Sequence, residues 1–346
     1  MWLREATGPV SISSVEPGAA AWATAPSFFA KEKILGILFL FLTAGCGPAA
    51  PEQGGYTVED VRGKTVRLAR PPQKILTDSL HLDETLLTLV PADHLAGVYY
   101  LDREPGISFI AEEPRDLEPV LRQVTPETVA RTKPDLFLAS TWSDSGLIQK
   151  VEEMGIPVVV CRGPVTVEEI RDNVGLMARA LDRPEAGKQV LARMDGELEE
   201  TERVLKNLQG PEPVGLLVSL MSRYGGSGSL YDDLCRRAHV GNGLSRAGLK
   251  NGQPLTREAI LQADPDFFLV ALPYGEEKAD YEKFQQQFFA DPALQGLKGL
   301  ERRVALPDRY VYDASPMAVY GIRALANGAY GKVLFPQGQE PLLKGY

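Results

Sequence analysis

A segment of the chain occurs twice, and this repeat constrains the fold more than any other feature. Residues 124–140 read VTPETVARTKPDLFLAS, and residues 255–271 read LTREAILQADPDFFLVA. Each copy has a Thr suited to a helix N-cap, then a short helical stretch, a Pro-Asp turn and an apolar strand. Two copies of one helix-strand unit this far apart predict two α/β lobes of similar construction.

Two helices are predicted between the copies. The first covers about residues 167–181, with Thr166 as its N-cap. The second covers residues 182–208, with Asp182 as its N-cap and Pro184 in its first turn. A helix of some 26 residues is roughly 39 Å long at 1.5 Å per residue. A helix of this length between two lobes is expected to act as a stiff strut.

This division assigns residues 56–181 to an N-terminal lobe and residues 209–346 to a C-terminal lobe. An alternating pattern around Arg62-Gly63 predicts a β-hairpin over 56–72, at the start of the N-terminal lobe. Strands are predicted over 74–79, 94–101, 213–220 and 303–312. Further helices are predicted over 81–90, 230–238, 281–290 and 316–334.

Composition excludes several classes of protein. Lys and Arg total 37 against 46 Asp and Glu, and this net charge of −9 argues against a dedicated nucleic-acid binder. Three Cys are too few for a disulfide scaffold or a thiolate zinc site, and three His are too few for a dense metal site. Cys161 and Cys235 are expected to be free thiols.

The N-terminal region has the features of an export signal. Lys31 and Lys33 precede the apolar run ILGILFLFL at 34–42, which is too short to span a bilayer and is followed by Thr-Ala-Gly-Cys. The segment LTAGC resembles a bacterial lipobox, and Cys46 would then be lipidated. Residues 1–45 are interpreted as an N-terminal extension with a lipoprotein signal peptide, and 46–55 as a flexible tether. The alternative for the apolar run is a buried strand.

From Tyr56 to Pro336 the chain resembles the substrate-binding proteins of ABC importers for ferric siderophores, vitamin B12 and haem. The resemblance rests on VRGKTVRLARPPQKIL, the two repeated units, the long helix, the lipobox and LKGLERRVALPDRYVY. It implies two Rossmann-like α/β lobes joined by one long rigid helix, with a ligand cleft between them. It also implies a monomeric, non-enzymatic lipoprotein on the outer side of the cell membrane. Its partners would be a permease dimer with its ATPase, and it would need no cofactor.

Aromatic, Arg or His residues follow several of the predicted strands, where α/β sheets present residues to a ligand crevice. Aromatic rings offer stacking area and Arg offers bidentate donors, which suits a macrocycle or an anionic chelate. The glycine-rich loop 224–229 is also expected to expose N–H groups to an anionic part of the ligand. The predicted ligand-binding residues are His81, Tyr99, Tyr100, Trp142, Arg162, Arg223, Tyr224 and Tyr274.

The ligand class is narrowed by two observations. A free metal ion would need several His and carboxylate ligands, and only His81 is well placed. Haem binders of the resembled family often have a Tyr in a segment such as GYMRQL, where this chain has Val120. Ferric siderophores and cobalamin or another corrinoid remain as ligands, with haem as an alternative. Two other classes remain open: a chelatase-like enzyme using His81 and Glu84, and a structural or signalling lipoprotein.

Glu127 and Glu258 occupy equivalent positions in the two repeats. In the resembled family, a Glu on each lobe pairs with Arg residues of the two permease subunits, and the resemblance implies this docking role here. The alternative role is local, because a Glu in the first turn of a helix is stabilised by the helix dipole by roughly 0.3–1 kcal/mol.

Overall fold

The computed structural model describes residues 54–272, 278–338 and 340–346. The expected signal peptide, the tether up to residue 53, Cys46 and Tyr274 lie outside these ranges. The described N-terminal lobe begins with the predicted antiparallel hairpin, formed by β1 (Tyr56–Glu59) and β2 (Thr65–Leu68). Val58, Val66 and Leu68 face the core, as the alternating pattern predicts.

The N-terminal lobe contains a parallel sheet in the order β3 (Ile75–Thr77), β6 (Leu136–Ser140), β7 (Val158–Cys161). A second parallel pair, β4 (Val98–Tyr99) with β5 (Val120–Leu121), is linked to β3 by a bridge between Ile75 and Leu95. The strand predicted over 94–101 is therefore only two residues long. Short 3₁₀ helices, Ala92–His94 and Tyr100–Arg103, occupy the rest of that segment.

Four helices pack around this sheet. Their bounds are α1 Leu80–Leu89, α2 Pro126–Thr132, α3 Ser145–Glu153 and α4 Val167–Ala180. The next helix, α5, covers Pro184–Leu205 and has 22 residues, which makes it about 33 Å long. The predicted N-cap of α5 is wrong. Asp182 has a left-handed backbone (φ 54°), and Arg183 precedes the helix without a side-chain cap.

The C-terminal lobe contains a second all-parallel sheet, in the order β11-β10-β8-β9. The strand predicted over 303–312 ends earlier, at Pro307, and the predicted final helix is shorter at both ends. The strands are β8 Val214–Val218, β9 Gly241–Asn242, β10 Phe267–Leu272 and β11 Arg303–Pro307. The helices are α6 Leu230–Arg237, α7 Gly243–Arg246, α8 Arg257–Ala263, α9 Lys278–Phe289 and α10 Ala318–Tyr330.

The repeated segments form the same structure in both lobes. Thr125 caps α2 and Thr256 caps α8, each through its side-chain oxygen, and both helices end on a left-handed residue, Lys133 or Asp264. The repeated Asp then ties its own strand to the neighbouring strand. Asp135 Oδ1 accepts from Lys74 N at 2.8 Å before β3, and Asp266 Oδ2 accepts from Val214 N at 2.8 Å in β8.

The main hydrophobic core is shared by both lobes, and a second, smaller cluster that includes Leu76, Phe137 and Val160 lies within the N-terminal lobe. A single cluster of buried residues extends from Val58 in β1 to Leu343 near the C-terminus, and it includes Val190 and Met194 of α5. Arg323 of α10 donates to Thr201 Oγ1 at 2.9 Å and pairs with Glu197, so α5 is also bound to the C-terminal lobe by polar contacts. The long helix is therefore anchored along its length.

Candidate functional site

His81 and Trp142 meet at the carboxyl end of the N-terminal sheet. His81 is the second residue of α1, and Trp142 lies two residues beyond β6. Their rings are in edge contact, with centroids 5.3 Å apart, although His81 is 7% exposed and Trp142 is 58% exposed. A Cβ at residue 163 would lie 2.2 Å from the indole, so Gly163 is required for the close approach of the loop after β7. The two predicted residues thus form one surface.

Burial determines the charge state of His81. Loss of hydration lowers the pKa of the imidazole to about 4, although a hydrogen bond with the backbone of Arg162 acts in the opposite direction. His81 is therefore neutral at physiological pH. Its Nε2 is buried and has no hydrogen-bond partner among the described residues. A polar group that reached this atom would remove the cost of an unpaired buried nitrogen.

Tyr99 and Tyr100 form a second aromatic surface where β4 ends. Their rings are in edge contact with centroids 4.9 Å apart, and the Arg122 guanidinium lies 5.3 Å from the centroid of Tyr100. Burial raises the pKa of Tyr99 to about 12, so it remains a neutral phenol. The Tyr99 backbone N–H donates to Asp102 Oδ2 at 2.8 Å, which fixes the start of the following 3₁₀ turn. Sequence reasoning missed the contribution of Arg122.

The two predicted arginines are exposed and only weakly bound to the protein. Arg162 follows β7, and its Nε lies 3.9 Å from Asp172 Oδ2. Arg223 lies in the loop after β8, and its Nη1 donates to Gly252 O at 3.2 Å. Both guanidinium groups therefore have donors left for a solute.

Tyr224 lies beside a small pocket at the end of β8. Its ring packs on Tyr312 with centroids 5.4 Å apart, and Tyr312 OH hydrogen-bonds to Ser219 Oγ at 2.7 Å. Burial raises the pKa of Tyr224. The cavity volume is about 20 Å³, which is room for about one water molecule. It is lined by Leu217, Ser219, Met221, Ser222, Tyr224, Gly226, Leu244, Leu249, Gln253 and Leu255.

Most backbone N–H groups of the glycine-rich loop 224–229 are already used inside the protein, contrary to the expectation that the loop presents them to a ligand. Ser227 N donates to Leu249 O, Gly228 N to Asp232 Oδ2 and Ser229 N to Gly226 O. The Asp232 carboxylate already accepts from the loop, so an anionic ligand group would meet a negative charge there. The hydrogen bonds of this loop therefore do not favour the expected anion site.

Large apolar side chains are exposed at the carboxyl ends of strands in both lobes. Trp142 follows β6, Met221 follows β8, and Leu272 is the last residue of β10. Parallel sheets present their ligand crevices at this edge. Exposed apolar side chains at the same edge of both sheets are therefore typical of a binding surface.

Glu127 and Glu258 are fully exposed at the first turns of α2 and α8. A hydrogen bond with the Thr125 side chain lowers the pKa of Glu127, and the backbone N–H of the residue itself lowers that of Glu258. Both are carboxylates at neutral pH. Their placement is equivalent in the two lobes, as the repeat predicts.

Two buried carboxyl pairs were not foreseen from the sequence. Asp83 lies beside Asp102, and Glu84 lies beside Asp313 of the other lobe. Glu84 is fully buried and also accepts from Ser108 Oγ and Phe109 N, each at 2.9 Å. The hypothesis of an enzyme that uses His81 with Glu84 loses its geometric basis, because Glu84 is fully buried and accepts hydrogen bonds from Ser108 and Phe109.

Further features of the described ranges concern metal sites, membrane-spanning helices and disulfides. Residues 54–272, 278–338 and 340–346 contain no group of three His, Cys, Asp or Glu residues arranged to hold a metal ion. None of the helices in these ranges combines the length and apolarity of a membrane span. Cys161 and Cys235 are buried and free, as expected.

Comparison with known proteins identifies the family. Residues 120–305, more than half of the chain, match the periplasmic binding protein family, and the chain belongs to it. This family consists of extracytoplasmic solute-binding proteins. No curated protein matches the chain.

Several solved structures share this fold. The apo structure of the periplasmic heme-binding protein RhuT from Roseiflexus sp. RS-1 has a TM-score of 0.64 and 19% identity, covering 75% of this chain and 98% of that chain. A periplasmic heme-binding protein from Pseudomonas aeruginosa has a TM-score of 0.62 and 19% identity, with coverages of 75% and 93%. Helicobacter pylori CeuE with bound Ni(II) has a TM-score of 0.61 and 17% identity, with coverages of 80% and 89%. These likenesses confirm the predicted two-lobed α/β fold.

Proposed function

We propose that this protein captures a metal chelate between its two lobes and delivers it to an ABC importer, without catalysing a reaction. The observation that carries the proposal is the set of exposed aromatic, apolar and cationic side chains at the carboxyl ends of both sheets. Trp142, Tyr100 and Met221 offer flat or adaptable apolar area, and Arg162 and Arg223 offer donors for anionic groups. Ferric siderophores and corrinoids have both apolar area and charged or polar groups, which these side chains could contact. Tyr274 is proposed as a further contact.

Haem is the second candidate ligand, and one observation favours it. Val120 stands where haem binders of the family often have a Tyr, but Tyr100 lies on the adjacent strand end with Arg122 beside its ring. The neighbouring strand β4 therefore supplies a phenol beside Val120, and Arg122, which follows β5 itself, supplies a cation. The heme-binding names of two similar structures also support this alternative.

Calorimetric titration of residues 54–346 with cyanocobalamin, hemin and ferric desferrioxamine B tests the proposal. We expect one of these chelates to bind with micromolar or tighter affinity at one site per chain. Desferrioxamine B without iron and free Ni²⁺ serve as matched controls. A chelate receptor should bind both of them more weakly than the intact chelate. Absence of binding to all three chelates would overturn the proposal and favour a structural or signalling role.

For the delivery step, we propose that Glu127 and Glu258 dock the protein to the permease. Two equivalent carboxylates on two similar lobes match a two-fold symmetric partner with basic sites. Glu127→Ala and Glu258→Ala are expected to leave chelate affinity unchanged and to reduce transport by the reconstituted importer, with the double variant the most affected. Glu153→Ala, an exposed carboxylate at the end of α3, is the control. Normal transport by the double variant would refute the docking role.

The proposed site of action is the outer face of the cell membrane, with Cys46 as the lipid anchor. Cys46→Ala is expected to release the protein from the membrane fraction. Retention of this variant in the membrane would refute the anchor and leave the binding proposal intact.

A further inference from the structure

Residues 104–118, which we call the arm, extend from the N-terminal lobe to the C-terminal lobe. The arm lies between the 3₁₀ turn that follows β4 and the start of β5. Its two ends are tied together, because Arg103 Nη2 donates to Pro114 O at 3.3 Å and also to Leu117 O. A loop of this length with tied ends is a compact unit. The arm is therefore a single body attached to the strand ends beside the two tyrosines.

Arg309 of the C-terminal lobe holds the arm through three contacts. It lies two residues beyond β11, at the carboxyl end of the C-terminal sheet. Its backbone N–H donates to Gly106 O at 3.1 Å, and its Nη1 donates to Pro105 O at 3.0 Å. The guanidinium also lies 5.0 Å from the centroid of the Phe109 ring, within the range of a cation–π interaction. One residue thus fastens the arm to the opposite lobe.

The rest of the arm also packs on the C-terminal lobe. The Phe109 ring contacts Tyr310 and Tyr320, with centroids 5.5 Å and 5.8 Å apart. Further along the arm, Glu113 Oε2 accepts from Lys344 Nζ at 2.8 Å. These contacts place the arm against a formed surface, on which the Arg309 guanidinium supplies the cation.

The arm continues directly from the segment that carries the tyrosines. Glu104 N donates to Leu101 O at 3.1 Å, within the turn that begins at Tyr100. Ile107 N and Ser108 N then both donate to Glu104 O, at 2.8 Å and 2.9 Å. These hydrogen-bonded turns follow one another without a break. A displacement of the arm is therefore transmitted to the aromatic surface.

We propose that Arg309 is a positioning residue for the ligand, because it holds the arm and thereby sets the place of the Tyr99–Tyr100 pair relative to the C-terminal lobe. This inference rests on the proposed function, in which the two tyrosines contact a solute that lies between the lobes. Without the guanidinium, the arm loses a charge-assisted hydrogen bond and opens locally more often. The solute must then order the tyrosine segment when it binds, which weakens its affinity.

Arg302→Gln is a matched control for Arg309→Gln. Both arginines are half-buried, donate to a backbone carbonyl and lie beside an aromatic ring. Arg302 Nη2 donates to Gly328 O at 3.0 Å, and its guanidinium lies 5.3 Å from the centroid of the Phe267 ring. These partners all belong to the C-terminal lobe. A merely structural role predicts the same result for both variants, whereas a positioning role predicts a change in ligand affinity for Arg309→Gln alone.

Two further variants change the same contact in different ways. Arg309→Lys keeps a cation and N–H donors, so it is expected to restore part of the function. Phe109→Leu changes the contact from the side of the arm, because it keeps an apolar side chain and removes the ring beside the guanidinium. This second variant tests the inference independently if Arg309→Gln folds poorly. Urea denaturation first establishes the conditions under which each variant is folded.

Hydrogen exchange without ligand and calorimetric titration are the two measurements. Exchange of amides 99–108 is expected to accelerate at least about fivefold in Arg309→Gln and Phe109→Leu, and to match the wild type in Arg302→Gln. The titration uses whichever of cyanocobalamin, hemin and ferric desferrioxamine B binds the wild type. Affinity should fall about fivefold in Arg309→Gln and Phe109→Leu, and less than about twofold in Arg309→Lys, since only part of a charged hydrogen bond is restored by Lys. Arg302→Gln should bind as the wild type does.

The outcomes distinguish this inference from the proposed function. If a chelate binds the wild type and the folded Arg309→Gln and Phe109→Leu variants equally well, the positioning role is overturned and the proposed function stands. Equal losses of affinity in Arg309→Gln and Arg302→Gln would also overturn it, because the effect would then be one of general stability. If none of the three chelates binds the wild type, the positioning role falls together with the proposed function.

Discussion

At the scale of single residues, burial changes the chemistry of side chains that the sequence shows only as ordinary polar groups. His81 was expected at a ligand crevice because it follows the first strand of the lobe. Its neutral state and its contact with Trp142 come from tertiary packing around Gly163, far along the chain. The partners of Asp83 and Glu84 are likewise distant in sequence, so no local pattern could have predicted the two carboxyl pairs.

The buried imidazole predicts a loss of stability in acid. The unfolded chain takes up a proton on His81 near its ordinary pKa, whereas the folded protein resists protonation down to about pH 4. Stability is therefore lost as the pH falls through this window. The loss is on the order of 3 kcal/mol for this residue, since one pKa unit corresponds to about 1.4 kcal/mol.

Urea denaturation of the wild type and His81→Gln at pH 7 and pH 4.5 measures this effect. The wild type should lose more unfolding free energy between the two pH values than the variant, which has no imidazole to protonate. Equal losses in both proteins would show that His81 is not held neutral by the fold.

At the scale of elements, the repeat was the strongest signal in the sequence, and the structure explains why. The Thr caps, the left-handed helix ends and the strands all have local causes that a short segment contains. Elements that depend on tertiary contacts were predicted less well. The strand expected over 94–101 has only two paired residues, because its partner β5 lies about 20 residues further along the chain and is itself only two residues long. The helix α3 was not foreseen.

The repeated aspartates give an element-scale prediction. Asp135 accepts from the backbone N–H groups just before β3, and Asp266 accepts from the first residue of β8. Asp135→Ala and Asp266→Ala should each lower the unfolding free energy by about 1–2 kcal/mol, the usual range for a partly exposed hydrogen bond to a charged group. The double variant should show the sum of the two losses, because the sites lie in different lobes.

Chemical denaturation of the two single variants and the double variant tests whether the two aspartates have equivalent roles. Asp280→Ala, on the exposed face of α9, is a control with the same substitution. A loss in only one lobe would mean that the repeated Asp has different roles in the two copies.

At the scale of the whole molecule, contacts between the lobes favour a small conformational change on binding. Phe109 of the N-terminal lobe packs on Tyr310 and Tyr320 of the C-terminal lobe, and Gly345 N donates to Thr88 O at 2.8 Å. These contacts add to the shared core and to the anchored helix α5. We expect small-angle scattering with and without chelate to differ by no more than about 1 Å in the distance between lobes. A large compaction would contradict this expectation.

The Glu84–Asp313 pair is one of these inter-lobe contacts. Ionisation of both buried carboxyls at high pH is expected to destabilise the folded protein. Burial raises the pKa of both carboxyls, so stability falls as the pH rises above the ordinary carboxyl pKa. Asp313→Asn keeps an acceptor for Ser315 and can donate to Glu84, so it should raise the unfolding free energy at pH 8 by about 1 kcal/mol. Asp313→Ala should lower it. Destabilisation by both variants, measured by denaturation at pH 8, would contradict the protonated pair.

The central claim is that one solute lies between the carboxyl ends of the two sheets. Calorimetric titration of paired variants, one in each lobe, tests it most directly. Trp142→Ala and Met221→Ala should each weaken the chelate that binds the wild type by about tenfold, the usual cost of one good aromatic or apolar contact, while the stoichiometry stays at one. Leu261→Ala, an exposed apolar residue on α8, should have no effect. A loss of affinity from one lobe only, with the other variant equal to the wild type, would contradict a site shared by both lobes.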